Sequence, residues 1–365
     1  QNNYSSSMGR LNTFGLFIER VFDKILSENG LFSFIVPNTI LTQEYYSELR
    51  TLILKYSIKN LTSFTSQVFK DAVVETVVFV FEKEKPSEDH SVDIVLYDNE
   101  KQLFTSEVLK QSVYQNTHKN SFIVNVNTEL LDLKDKIQNK KVLFDEIVNI
   151  NQAIALKHDR SLSLFKDKKN SNYKPVIDGR NINRYDLTWD GYYLAYDVNN
   201  IHSCKRTDIF EAEEKIFFRR VGERLIGTYD NSKYYALNTL VVITSKHDEI
   251  PIKFILGIFN SSLFNFYYQT YLKSTKKVFS EIQARQVGQI PFPSINDINN
   301  FSEKKAIEDL VDQMISINQN IKNAKSDRDL KVLNQQMKIV DNKIDSIVYK
   351  LYDLTDDDIK TMEAK

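Results

Sequence analysis

A chain of 365 residues is long enough to bury two or three separate cores, and 42% hydrophobic with 27% charged residues is the composition of an ordinary folded protein. A formal net charge of -1 excludes a chain-wide polyanion-binding surface, so any nucleic-acid contact has to be local. The single cysteine, Cys204, excludes an internal disulfide framework and suits a reducing cytoplasm, and no apolar run approaches the ~20 residues that span a bilayer, so no membrane partner is expected. Gln1 opens a polar QNNYSSSMGR stretch with no initiating Met, which reads as an excised fragment or a processed product.

Taken in order, Thr13–Asn29 places Phe14, Phe17, Ile18, Val21, Phe22, Ile25 and Leu26 at helical spacing, and Asn29-Gly30 supplies a C-cap. Leu31–Val36 reads as a short buried strand ended by Pro37, Thr42–Tyr56 as a second helix, and Ile58–Phe64 as a second strand. Val73–Phe81, β-branched and aromatic nearly throughout, reads as a strand buried on both faces. Phe69, in the loop before it, stands at the rim of the sheet, where open α/β folds place ligand chemistry; by pattern alone the favoured reading is a loop residue folded back onto the core. Helix, strand, helix, strand, strand is the closing half of a doubly wound domain.

The charged KEKPSED exit at 83–89 marks a boundary. Ser91–Val126 carries β-like runs, VDIVLY and SFIVNV, and Leu130–Ile150 reads as helical. Ile150–Pro293 is mildly basic and β-leaning, with strands expected at Tyr192–Tyr196, Lys215–Arg219, Arg224–Tyr229 and Thr239–Thr244 and a helix over Ile252–Tyr271. From Phe301 on, Ile307, Leu310, Met314, Ile317 and Ile321, then Leu330, Leu333, Met337, Val340, Ile344, Ile347 and Leu351, form an a/d seam on two helices broken at Lys322–Asp329. An antiparallel pair is the simplest arrangement of that seam, with a partner coiled coil as the alternative.

The residues point to no metal site: the histidines are scattered, and His202-Ser203-Cys204 reads as a surface turn. Asp93, Glu100 and Lys101 form a charged triplet too short to carry a nuclease reading. Three basic groups are candidates for DNA contact: Arg180 and Arg184 in DGRNINRY; Arg219, Arg220 and Arg224 beside Phe217 and Phe218; and Lys273, Lys276 and Lys277 in YLKSTKKVF. Arginine forks suit guanine edges or phosphates, and lysines suit phosphates.

LFIER at 16–20, Asn29-Gly30, FSFIVPNTIL, YYSELR and QVFKDAVVETVVFVFEK stand in the order seen in the Taq-type N6-adenine DNA methyltransferases, including those of type IIG restriction–modification enzymes, and the chain resembles that family along nearly its whole length. KPVIDGRNINRYDLTW resembles the opening of the family's target-recognition domain, FILGIFNSSLFNFYY with IPFP resembles its end, and IDSIVYKLYDLTDDDIKTME is similar to the terminal helix. The resemblance implies a chain that reads double-stranded DNA and helps hold a flipped adenine, with Phe69 as a stacking aromatic and no catalytic residue of its own. The methyl donor of the parent enzyme is S-adenosylmethionine. The Gly-rich cofactor turn and the Asn-Pro-Pro-Tyr tetrapeptide are absent from this sequence, so a missing N-terminal catalytic region or a separate catalytic subunit is the expected partner. Two departures stand out: Asp353 replaces a usual Gly, and NQAIALK at 151–157 lacks one.

The implied architecture is α/β with mixed α/β: the C-terminal half of a Rossmann-like methyltransferase domain (1–85), a connector (86–149), a β-rich target-recognition domain (150–300) and an antiparallel helical hairpin (301–365). The expected function is the DNA-recognition portion of an adenine-specific, cytoplasmic restriction–modification methyltransferase, inactive in methyl transfer by itself. A stand-alone specificity subunit and a scaffold with a helical interaction arm are the competing readings.

Overall fold

The computed structural model describes residues 4, 12–64, 67–71, 74–98, 101–273 and 281–364. The described residues divide into two compact units, the first running to Asp132 and the second from Leu133.

The first unit is built on one five-stranded sheet. β1 (Leu31–Pro37), β2 (Ser57–Phe64), β3 (Thr76–Glu82), β4 (Ser91–Asp98) and β5 (Leu103–Lys110) take the order β1-β3-β2-β4-β5. β3 runs antiparallel to both neighbours, so β1 and β2 point the same way on either side of it, and β4 lies parallel to β2. β3 is central and therefore apolar: Val77, Phe79 and Phe81 are fully buried on one face, while Val78 and Val80 are only half-buried on the other. Phe22 anchors the covered face, stacked on Tyr56 at 4.2 Å and edge-on to Phe81 at 5.5 Å.

The first helix is shorter than its periodicity predicts. It runs over Thr13–Arg20, widens into a π turn at Val21–Ile25 and stops there. Asn29 still takes the left-handed conformation expected of it, at φ 59°. The second helix is split into Thr39–Thr42, a 3₁₀ turn at Glu44–Tyr46, and Ser47–Ile53. Arg50 holds the pieces together. Its fully buried guanidinium donates to the carbonyls of Ile40 (2.8 Å), Gln43 (2.9 Å) and Lys119 (2.9 and 3.1 Å), and burial lowers its pKa to about 10.

Two expectations change between residues 86 and 150. The stretch read as a connector supplies β4 and β5 to the same sheet, so the division falls at 132 rather than at 85. SFIVNV is buried but is not a strand: Phe122 donates its N–H to Leu41 O at 2.8 Å and packs on Phe79, while LFTSEVLK pairs with β4 instead. An apolar run fixes burial, but pairing also needs a free neighbouring edge. The single helix read over Leu130–Ile150 becomes a helix at Thr128–Gln138, a short strand at Lys141–Leu143 and a turn at Phe144–Ile147.

In the second unit a four-stranded antiparallel sheet runs in the order Gly227–Asp230, Lys215–Arg219, Leu240–Ser245, Val148–Gln152. A second sheet joins Tyr235–Ala236, Tyr173–Ile177, Tyr193–Ala195 and Leu164–Phe165. Between them lies a core of Ile154, Val176, Phe210, Phe217, Tyr235 and Val242 with their neighbours. The buried Ile252–Asn260 helix packs on the first sheet and against Lys304–Asn323. It approaches the latter so closely that a Cβ at Gly257 would overlap the Ile307 side chain.

The heptad seam forms the antiparallel pair Lys304–Asn323 and Asp327–Leu351. Ile307, Leu310, Met314 and Ile317 are buried, as are Val340, Ile344 and Leu351. The lower part of the seam is thus occupied within this chain. The chain then turns at Asp353, φ 54°, into a last helix, Asp356–Glu363, opened by a Thr355–Asp358 capping box.

Candidate nucleic-acid interface

In the first unit, the strand directions place the carboxyl ends of β1, β2 and β4 along one rim, with Phe64 opposite Tyr97. Phe69 sits on the β2–β3 loop at this rim and is 45% exposed, with no ring contact among the described residues. Folding back onto the core is therefore not what this side chain does. Gln67 shapes the loop, its amide donating to Phe69 O at 2.5 Å and to Lys70 O at 3.3 Å. Asn38 fixes the loop's far end to β1 by donating its N–H to Glu75 O at 2.9 Å.

In the second unit the three sequence-predicted basic groups separate. Arg180 and Arg184 belong to one short segment, Asp178–Leu187, that ends in the hairpin Ile182–Asn183 and Asp186–Leu187. Arg180 is 73% exposed at the side chain, on the turn before the hairpin. Arg184 lies in the hairpin bend and points inward: it donates to Asn260 O at 2.7 and 3.2 Å and forms an ion pair with Asp341 of the Asp327–Leu351 helix. Lys322 adds an ion pair to Asp186, and Asn318 donates to Arg184 O at 3.3 Å. These contacts dock the hairpin onto the C-terminal helices.

Arg219 and Arg220 divide the same way, because neighbours on a strand face opposite sides. Arg219 turns in and donates to the Ile182 carbonyl at 3.0 Å and to Asn183 Oδ1 at 2.9 Å. Arg220 reaches the surface, where it donates to Glu281 at 2.7 Å and to Asn238 O at 3.3 Å. Arg224 is exposed and has no hydrogen bond or ion pair among the described residues. Lys273 ends a helical segment in a half-buried position, and Lys276 and Lys277 lie outside the described residues.

Thr239 links the exposed Arg180 turn to Arg220. Its hydroxyl accepts from the Gly179 N–H at 2.9 Å, and its carbonyl accepts from the Arg220 N–H at 3.0 Å. The Asp178–Asn181 turn and the Arg220 strand end thus lie side by side. Asp178 is the residue that sequence reasoning passed over. It is nearly buried, accepts from Arg180 at 2.8 and 3.1 Å, and also accepts from Arg160 at 3.0 Å. Burial alone would raise its pKa. The hydrogen bonds from the Arg180 side chain and backbone, with both guanidinium charges, outweigh that and hold the carboxyl below the ordinary aspartate value. The available signal was the Asp-Gly-Arg-Asn order, which reads as an Asx turn able to seat an arginine on its own aspartate.

FILGIFNSSLFNFYY also acquires a physical meaning. Asn260 exchanges two hydrogen bonds with the Gly227 backbone, at 2.9 and 3.0 Å, and Asn265 accepts from the Leu225 N–H at 2.8 Å. Ser261 caps the next helix by accepting from the Phe264 N–H at 3.2 Å. The motif is a clamp holding the strand that follows Arg219 and Arg220. In NQAIALK, where a glycine was missed, no residue of 151–157 takes a positive φ, so alanine fits without strain. Among the described residues no three His, Cys, Asp or Glu side chains come together as metal ligands, and no helix is long and apolar enough to cross a membrane.

Comparison with known proteins defines the class. Residues 174–292 match the TaqI-like C-terminal specificity domain, and residues 1–69 match the Eco57I restriction-modification methylase. Two separate segments of the chain thus match domains of restriction–modification enzymes, one of them a specificity domain. Among solved structures it is similar to the type IIL restriction-modification enzyme MmeI in complex with DNA, with a TM-score of 0.59 and 13% identity over 97% of this chain and 53% of that one. The type IIG restriction endonuclease BpuSI superposes less well, with a TM-score of 0.38 and 11% identity over 96% of this chain and 51% of that one. At such identity the MmeI likeness concerns fold alone: mixed α/β with several sheets and C-terminal helices. The chain spans about half the length of the solved enzymes it resembles. No curated protein sequence matches it.

Proposed function

We propose that this chain is the DNA-reading portion of an adenine-specific methyltransferase of a restriction–modification system. The observation that carries the reading is the surface where Arg180 and Arg220 lie on adjoining turns joined through Thr239, inside the segment that matches a specificity domain. Its protein-facing arginines hold that surface together, and its outward ones offer cationic forks to duplex DNA.

Phe69 is the base-stacking residue in this reading. An extruded adenine loses its stacked neighbours, and an exposed ring at the carboxyl rim of the sheet replaces part of that loss. The first unit reads as the closing half of a doubly wound methyltransferase sheet. In support, β1 is paired on one side only, and Leu31 and Ile35 remain exposed on it. The catalytic region, whether upstream in one protein or a separate subunit, supplies strands to that edge. The parent's methyl donor in this reading is S-adenosylmethionine.

Titration of fluorescent duplex DNA with the chain at rising salt tests the reading. Affinity is expected to fall linearly on a log–log plot, as phosphate contacts release counterions. Salt-independent binding, or none at low salt, would overturn DNA recognition. Tritiated methyl incorporation by the isolated chain would overturn its expected catalytic silence.

A further inference from the structure

The sequence offered Arg180 as one arginine among several, and Arg160 not at all. The structure ties both to one carboxylate. Asp178 accepts from Arg180 Nε and Nη2 at 3.1 and 2.8 Å, and from Arg160 Nη1 at 3.0 Å. The carboxylate is itself fixed. Its own N–H donates to Asn181 Oδ1 at 2.7 Å, its Oδ1 accepts from the Arg180 N–H at 2.9 Å, and Asn181 is anchored to Thr188 O at 3.0 Å. Arg160 is held from its other side by a short 3₁₀ turn, Arg160–Leu162, capped by Asp159.

Both guanidinium groups remain open to solvent, 73% exposed at Arg180 and 53% at Arg160, so most of their N–H donors face outward. Two positive forks share one carboxylate. They stand over a hollow of about 480 Å³ with Leu164, Val176, Tyr192 and Leu237 in its lining. Asp159 and Asp190 also line the hollow, so the forks offer directed N–H donors rather than an excess of positive charge. Lys166 crosses the Tyr192 ring at 3.7 Å, adding a further cation beside it. An exposed arginine normally loses much side-chain freedom when it binds. Here the buried carboxylate has already fixed both forks.

We infer that Asp178, Arg160 and Arg180 form a two-armed clamp that takes paired hydrogen-bond acceptors of duplex DNA, with Arg160 and Arg180 as contact residues and Asp178 as the positioning residue. The inference rests on the DNA-recognition reading and names residues for it. Two sources present suitable acceptors, the O6/N7 edge of guanine and the oxygens of a phosphate, and arginine matches both.

The test uses the full chain and a pool of duplexes with a randomised centre, read by fluorescence anisotropy and by sequencing of the bound fraction. The double variant R160Q/R180Q is compared with wild type and with K360Q, which makes the same kind of charge change at an exposed position remote in the chain. The double variant is expected to bind about tenfold to a hundredfold more weakly. Loss of preference at one base position identifies guanine. Uniform weakening, with the salt slope reduced by about one per arginine removed, identifies phosphate.

D178N, with both arginines intact, is expected to weaken binding and broaden the selected sequences; a merely structural role would lower the melting temperature and leave the sequence preference alone. Should R160Q/R180Q fold poorly, R160K/R180K keeps the charge and removes the fork, so base preference is expected to be lost where guanine is the acceptor, and affinity to weaken with the salt slope unchanged where phosphate is. A folded double variant that binds within about twofold of wild type and selects the same sequences overturns the clamp and leaves DNA recognition standing. Failure of the wild-type chain to bind the pool at low salt overturns both.

Discussion

Two arginine layers lie within the specificity unit, and they contain the same residue type from the same stretches of chain. The outer layer is Arg160 and Arg180, each on a turn and both paired with the Asp178 carboxylate, which leaves most of each fork facing water, while Arg220 lies between the layers, its donors shared by Glu281 and the Asn238 carbonyl. The inner layer is Arg184 and Arg219, whose forks are spent on backbone carbonyls at Asn260 and Ile182 and, for Arg184, on Asp341 of a distant helix. The difference lies in the acceptors. A carbonyl inside the fold uses up an arginine's donors, whereas a carboxylate at the rim fixes the side chain and leaves donors over. A count of basic residues measures charge, and does not measure availability.

The comparison can be broken from the inner side first. Asn260 touches both layers' support, since its amide pairs with Gly227 and its carbonyl receives Arg184. Asn260→Leu leaves the buried Gly227 N–H unpaired, the Gly227 C=O keeping its bond from the Tyr185 N–H, and is expected to lower stability by about 2 kcal/mol, read from urea midpoints. Arg184→Met removes one partner of a partly buried pair and strands Asp341, for about 2 kcal/mol. The outward Arg180→Gln, by contrast, is expected to change stability by less than about 0.5 kcal/mol.

Titration with acid sharpens the same contrast with a smaller effect. Asp178 has a folded pKa depressed below its ordinary value. The stability from its pairing is therefore fully present above the unfolded aspartate range, about 3.9, and is lost as pH falls through the folded value. Urea midpoints of D178N should accordingly fall less steeply than those of wild type below about pH 4. An effect of opposite sign is expected at Asp353, which holds φ 54° where a helix ends. Asp353→Gly relieves a left-handed L-residue and should raise stability by about 0.5–1 kcal/mol in the same denaturation assay.

Much of the fold was legible because burial leaves periodicity in sequence. Lys215–Arg219 falls where it was read, and the seam from Ile307 to Leu351 gives the two helices that form. The failures share a cause. SFIVNV was judged on apolar content, yet strand pairing is decided by which edge is free, and the edge of β4 is taken by LFTSEVLK, which the sequence reading passed over. The two helices of the first unit shortened or split because a π turn and the Arg50 cage compete with continuous helix, and neither has a periodic signature. Arg180 was singled out from its basic stretch and Phe69 through the family resemblance, and both side chains are exposed, while Asp178 and Arg160 drew no notice. A carboxylate that organises arginines from two separate turns has no local spacing by which to be noticed.

The sequence by itself determined the class of protein, through the order of its short segments, and the location of its helices, strands and basic stretches, because these depend on local pattern and composition. Only the tertiary structure decided which arginines face outward. That choice depends on carbonyls and carboxylates brought alongside from elsewhere in the chain, and a hydrogen bond's strength falls steeply with distance and misalignment. Which donors are left over for a partner is therefore set by the fold.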